Sequence, residues 1–221
     1  MALVGNLRLW TVQELVSSVL LCNHKSIQDE TVRKVCENFQ YLDMGIFVHI
    51  LSGRTREMLM TEKTEESLNR ILQVLFGGNA KIDNLYYNLQ HLYLNNLADA
   101  IHAPVAHKLP ELADHVSDLV DKLGGRPVRY GTVDYSEKYE NAKEIFSQLS
   151  NYFEELRKDV ILSIDDADMN DDVEVRIWLE NFLVEEILPL RKQAAEWLDA
   201  TNKLTDSELN IHIADYTHYL K

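Results

Sequence analysis

Glu111, Asp114, His115 and Asp118 stand at i, i+3, i+4 and i+7 in the stretch PELADHVSDLVDKLGGRP, residues 110–127. On a helix these four side chains share one face. Three carboxylates and an imidazole on one face are either a set of metal ligands or the solvated side of an ordinary helix. The same stretch carries Leu109, Leu112, Val116, Leu119, Val120 and Leu123 as its apolar stripe. At ~100° per residue that stripe centres about 150° from Glu111, Asp114 and Asp118. The acids therefore face away from whatever the helix packs on. That geometry disfavours a metal centre buried among helices and leaves open a site on the outer face, shared across a subunit interface.

Other groups with chemical potential are sparser. Glu154, Glu155 and Asp159 in one helical stretch and Glu185-Glu186 in another would make a carboxylate cluster only if the two stretches converge. His102 and His107 flank Pro104 and read as turn residues or as a pair of ligands. DDADMNDD has no glycine and no distal glutamate, so it is a capped inter-helix turn and not a calcium loop. SGRTRE at 52–57 is a small basic patch. No Gly-rich phosphate loop, Gly-x-Ser-x-Gly or His-Glu-x-x-His is present. Cys22 and Cys36 are the only cysteines, without a Cys-x-x-Cys, and read as buried thiols.

The elements that position these residues are helical. Four prolines and eight glycines in 221 residues leave few breaks, and no window alternates with a period of two. Before Gly77-Gly78 the periodicity predicts three helices: one around Val12, Leu15 and Val19, one from Val32, and one around Leu68, Ile71, Leu72 and Leu75 that stops at FGGN. Four longer ones follow. The first runs from Ile82 to about Ala103, and the second is the acid-bearing stretch, ending at Gly124-Gly125. The third is capped by Asp134-x-x-Glu137 and runs to about Ile164; the fourth is capped by Asp171-x-x-Glu174 and bent at Pro189. A short helix over DSELNIHIADYTHYL closes the chain. The expected organisation is a helical extension over 1–78, a four-helix bundle over 79–200 and a C-terminal short helix within 201–221.

Net charge is −14, and residues 79–221 carry 14 Lys/Arg against 27 Asp/Glu. Such a surface repels phosphate backbones, which argues against direct nucleic-acid binding, and attracts cations or a basic protein partner. No apolar run reaches the ~18 residues a bilayer span needs, and no secretion signal is legible, so the expected location is cytoplasmic and off the membrane.

DHVSDLVDKLGGRP resembles the second bundle helix of the ferritin-like superfamily, in particular of the starvation-induced DNA-protecting mini-ferritins. Asp114 and Asp118 fall on the two acidic positions of that helix and Leu123-Gly124-Gly125 on its ending. The last long stretch, closing on Trp197-Leu198, is similar to the last helix of the same family. The resemblance covers roughly residues 80–200. It implies an all-α fold, a ferritin-like four-helix bundle here carrying an N-terminal helical extension. It also implies a homo-oligomer, iron or another divalent cation as ligand, and iron storage or oxidation as activity. It departs at the metal positions: the chain has no Glu-x-x-His, the 82–103 stretch has no glutamate, and the mini-ferritin His-Trp dipeptide is missing. Two functions follow as expectations. One is a ferritin-like protein binding iron at His107, Glu111, Asp114 and Asp118 through a degenerate site. The other is a metal-free ferritin-like interaction or structural module whose acidic surface meets a basic partner, with a DNA mimic as a narrower version.

Overall fold

The computed structural model describes residues 58–131 and 133–220. The helices expected around Val12 and Val32, both cysteines and the SGRTRE patch lie outside the described residues. All regular structure among the described residues is helical. Helix α1 spans Glu62–His91. Helix α2, Asn95–Ile101, passes through a π-helical turn, His102–Ala106, into α3, Lys108–Lys122. Helix α4 spans Ala142–Met169. Helix α5, Val173–Phe182, passes through a second π-helical turn, Leu183–Ile187, into α6, Leu188–Ala200. A short α7, Asp206–His212, and a 3₁₀ turn, Ile213–Tyr216, complete the fold.

The first correction concerns Gly77-Gly78. No helix ends there, because α1 runs through both residues. Gly78 is buried, and a Cβ on it would lie 1.9 Å from the Tyr152 hydroxyl oxygen. The glycine is a notch in the helix surface. Tyr152 fills it and donates its hydroxyl hydrogen to the Val74 carbonyl at 3.2 Å. Each helix-interior glycine costs roughly 1 kcal/mol against alanine, and burial of the tyrosine ring offsets that. The bundle's first helix thus starts at Glu62, and the compact unit spans Arg56–Lys221. A boundary between 78 and 79 would cut a continuous helix. The stretch expected as one helix over 82–103 is divided instead: α1 ends at His91, and Tyr93, with φ 62°, turns the chain into α2.

Contacts along α1 define the topology. Its start is tied to the end of the α4–α5 hairpin, where Asp172 accepts from the Thr61 amide and hydroxyl at 3.1 and 2.9 Å. Ser67 donates to Asp166 at 2.8 Å, and Lys63 pairs with Asp166 at 2.9 Å. Helix α4 is therefore antiparallel to α1. The connection from α3 to α4 runs the length of α1: Asn69 brackets Arg126 and Val128, and Asn84 and Asn88 hold Glu137 and Tyr139. One long crossover in an otherwise antiparallel four-helix set gives the up-down-down-up arrangement. The core is one apolar cluster from Met60 to Ile213, with Trp197, Phe146 and Phe153 its largest fully buried side chains.

Two expected caps are also corrected. Helix α4 does not start at Asp134-x-x-Glu137, since residues 134–139 belong to the crossover. Asn141 is the N-cap, accepting from the Glu144 amide at 2.9 Å, while Glu144 accepts from the Glu140 amide at 3.0 Å. Asp171 does not cap α5; it sits at φ 59° in the turn, and Asp172 takes the N-cap position with its carboxylate committed to Thr61. The bend expected at Pro189 takes the form of the second π turn. Proline lacks the N–H for an i→i−4 bond, and its ring crowds the carbonyl four residues back. Widening the turn ahead of it relieves both, and the Leu188 amide bonds five residues back to Leu183. Pro104 lies inside the first π turn and not after it, with the His107 amide on the His102 carbonyl at 3.2 Å.

Candidate functional site

The acid face of α3 is placed by its apolar stripe. Leu109, Leu112, Val116 and Val120 are fully buried, and His107, Glu111, Asp114, His115 and Asp118 are all exposed. Glu111 accepts from Lys108 Nζ at 2.9 Å, and that hydrogen bond, with the ammonium charge behind it, holds its carboxyl below the ordinary glutamate range. The carboxylates of Asp114 and Asp118 have no protein partner among the described residues. His107 is the N-cap residue at the start of α3. Its ring meets His102 edge-on at 4.4 Å, and His102 stacks on Tyr86 at 4.1 Å. His107, Glu111, Asp114, His115 and Asp118 thus all lie on the surface at or along α3, and no group of three or more His, Cys, Asp or Glu side chains among the described residues is arranged to hold a metal ion.

The bundle interior is a second place to test for iron. A ferritin-like di-iron centre takes a glutamate from each of two helices and Glu-x-x-His from each of the other two, all pointing inward. No glutamate and no histidine is buried among the described residues. The buried polar side chains are Thr64, Ser67, Asn69, Ser163, Asp172 and Gln193, each already bonded to protein. Asp172, the buried acid of this set, sits at the hairpin end of the bundle and not at its middle. This donor set does not fit a di-iron group. The remaining carboxylates considered from sequence do not converge. Glu154 is taken by Arg191 and Arg157, and Glu186 faces Lys108 at 3.4 Å. Asp159 is pushed above the ordinary aspartate range chiefly by burial, against the pull of Arg70.

A feature that periodicity did not reveal is a cleft of about 790 Å³ between the two π turns. Pro104 and Ala103 of the first turn form one wall, Val184 of the second turn and Pro189 just after it another, and the C-terminal segment brings Tyr219 and Leu220 to its edge. Lys108 sits in it. Burial there opposes its charge, but Glu111 and Glu186 together raise its pKa above the ordinary lysine value. The closing segment is fixed by fully buried Gln193, whose side-chain oxygen accepts from the His218 and Tyr219 amides at 2.9 and 3.0 Å and whose nitrogen donates to the Tyr216 carbonyl at 2.6 Å. The signal available in the sequence was the pair of prolines, each within a few residues of acids or histidines.

The sequence matches no family model and no curated protein. Its structure is similar to that of an open pore ferritin from the hyperthermophilic archaeon Archaeoglobus fulgidus, at a TM-score of 0.65 and 14% identity over 70% of this chain and 94% of that one. A second structure described as the same open pore ferritin gives the same TM-score and identity, covering 70% of this chain and 93% of that chain. The fold is the ferritin-like helical bundle. Among the described residues no helix is long and apolar enough to cross a membrane.

Proposed function

We propose that this bundle is a ferritin-like interaction module that docks a basic protein partner, and that it has no di-iron centre in its interior. The observation that carries this reading is the placement of the acids. Every glutamate and histidine among the described residues lies at least partly in solvent, and the helix-facing interior is filled by Leu, Ile, Val, Phe and Trp. An outward acidic surface attracts a basic partner through long-range fields that salt screens. The test is equilibrium binding of a basic model peptide to the full chain over a salt series. Binding that weakens steeply as salt rises supports the reading. Failure of any basic peptide to bind at low salt overturns it.

A second reading keeps the metal. Asp114 and Asp118 are exposed, four residues apart, and without a protein partner among the described residues. Two such carboxylates, with Glu111 and His107 alongside, offer half of a cation site that a second copy of the chain would complete. Elemental analysis after ferrous loading and desalting separates the readings. The interaction module retains well below one iron per chain. Retention of about one iron or more, lost in an Asp114→Ala/Asp118→Ala double variant, would establish the shared site instead.

A further inference from the structure

We infer that the cleft between the two π turns is the docking point for a short peptide of the partner in which basic and apolar side chains alternate. The inference rests on the basic-partner reading above and gives that partner a place and a chemistry. Three observations carry it.

The first is shape. At about 790 Å³ the cleft is in the usual range of a ligand site (~300–1,000 Å³). Its walls are set by two helix irregularities that proline imposes, so the opening is built into the backbone and does not depend on one side chain's rotamer. The second is charge. Glu111, Glu185 and Glu186 face the cleft against the single ammonium of Lys108, which leaves it net negative. Lys108 also shows what these carboxylates hold: its Nζ lies 2.9 Å from Glu111 and 3.4 Å from Glu186. Glu185 is exposed and has no protein partner among the described residues, so one carboxylate is left over for an incoming cation. The third is the lining between the charges. Pro104, Val184, Pro189, Leu190 and Leu220 are apolar, and Val184 is 60% exposed. A small polyamine, charged at intervals along its whole length, does not match that surface. A lysine or arginine tip beside a leucine-like neighbour on a peptide does, because the long stem and the neighbour cover the apolar wall while the charge reaches the carboxylates.

The test uses the full chain and a fluorescent amphipathic Leu–Lys peptide as probe, read by anisotropy at low salt. Glu185→Gln/Glu186→Gln should weaken probe binding about tenfold, as expected on removing charges from a docking site. Val184→Glu adds negative charge yet should also weaken it, because it destroys the apolar wall. Asp165→Asn/Asp168→Asn, which removes equal charge at the hairpin end of the bundle, should change it less than about twofold. All three variants alter partly or wholly exposed positions, and circular dichroism checks that they fold. Tighter binding by Val184→Glu, or equal losses in the two neutralising variants, overturns the cleft while leaving a general acidic docking surface intact. Displacement of the probe by an equal concentration of spermidine overturns the peptide assignment in favour of a polyamine site. Absence of probe binding by the unaltered chain removes the underlying reading together with the cleft.

Discussion

Gly77 and Gly78 are neighbours in one helix with opposite expected responses to the same change. At Gly78 a Cβ collides with the Tyr152 ring, held by its hydroxyl bond to Val74, so Gly78→Ala should destabilise by about 1–3 kcal/mol despite the gain in helix propensity. At Gly77 a Cβ meets only the Tyr135 hydroxyl at 3.8 Å, and Gly77→Ala should stabilise by up to ~1 kcal/mol. Urea unfolding of the two variants checks both signs. Acid titration is also a matter of single residues. The carboxyls of Glu154, held by Arg191, of Asp166, held by Lys63 and Ser67, and of Glu208, held by the Thr205 amide and hydroxyl, all lie below their ordinary values. A depressed folded-state value means that the unfolded chain takes up protons first. The stability these groups contribute is complete above the ordinary glutamate value of 4.5 and disappears as pH falls through their folded values. The thermal midpoint should therefore hold steady from neutral pH to about pH 5 and drop below it. Asp159 has the opposite sign, since burial raises its folded value. Asp159→Asn should raise the midpoint at neutral pH, and the gain should vanish as acid protonates the aspartate.

Helices with an amphipathic stripe were legible before the fold was known, and the connections were not. The stripe from Leu109 to Val120 fixed both the helix and the outward direction of its acids, because burial follows a 3.6-residue period that local sequence records. Asp134-x-x-Glu137 and Asn141-x-x-Glu144 are the same signal seven residues apart. The choice between them is made by Asn84 and Asn88, some fifty residues away in the chain, which bond Glu137 and Tyr139 and keep that segment extended. The glycine pair failed as a stop signal for a similar reason, since its partner Tyr152 lies in another helix. The cleft was not readable, because it required two distant prolines to meet. The crossover supplies a prediction at this scale. Asn69 donates to the Arg126 carbonyl at 3.2 Å and accepts from the Val128 amide at 2.7 Å while nearly buried. Asn69→Ala should cost about 1–3 kcal/mol and open residues 126–131 to protease, read as faster cleavage there with the helices intact.

Among the described residues every charged side chain except Asp172 lies at least partly in solvent, and the core is one apolar cluster. At that scale the expected behaviour is electrostatic: association with a basic peptide should fall as ionic strength rises from about 0.05 to about 0.3 M, over which the screening length shortens from roughly 14 to 6 Å. A salt-independent affinity would point to apolar contacts alone. The crossover also has a consequence for how the chain can be assembled. Asn69 and Glu65 fasten its near end and Asn84 and Asn88 its far end, while Tyr130, Gly131, Val133 and Asp134 between them are exposed. Each half of the bundle thus keeps its own part of the strap: α1 to α3 on one side of the gap, α4 onward on the other. A chain nicked between Tyr130 and Gly131 has lost a covalent link but none of these fastenings. Two separately expressed pieces should find each other and restore the bundle, which makes this connection a natural place to divide the protein into a complementing pair.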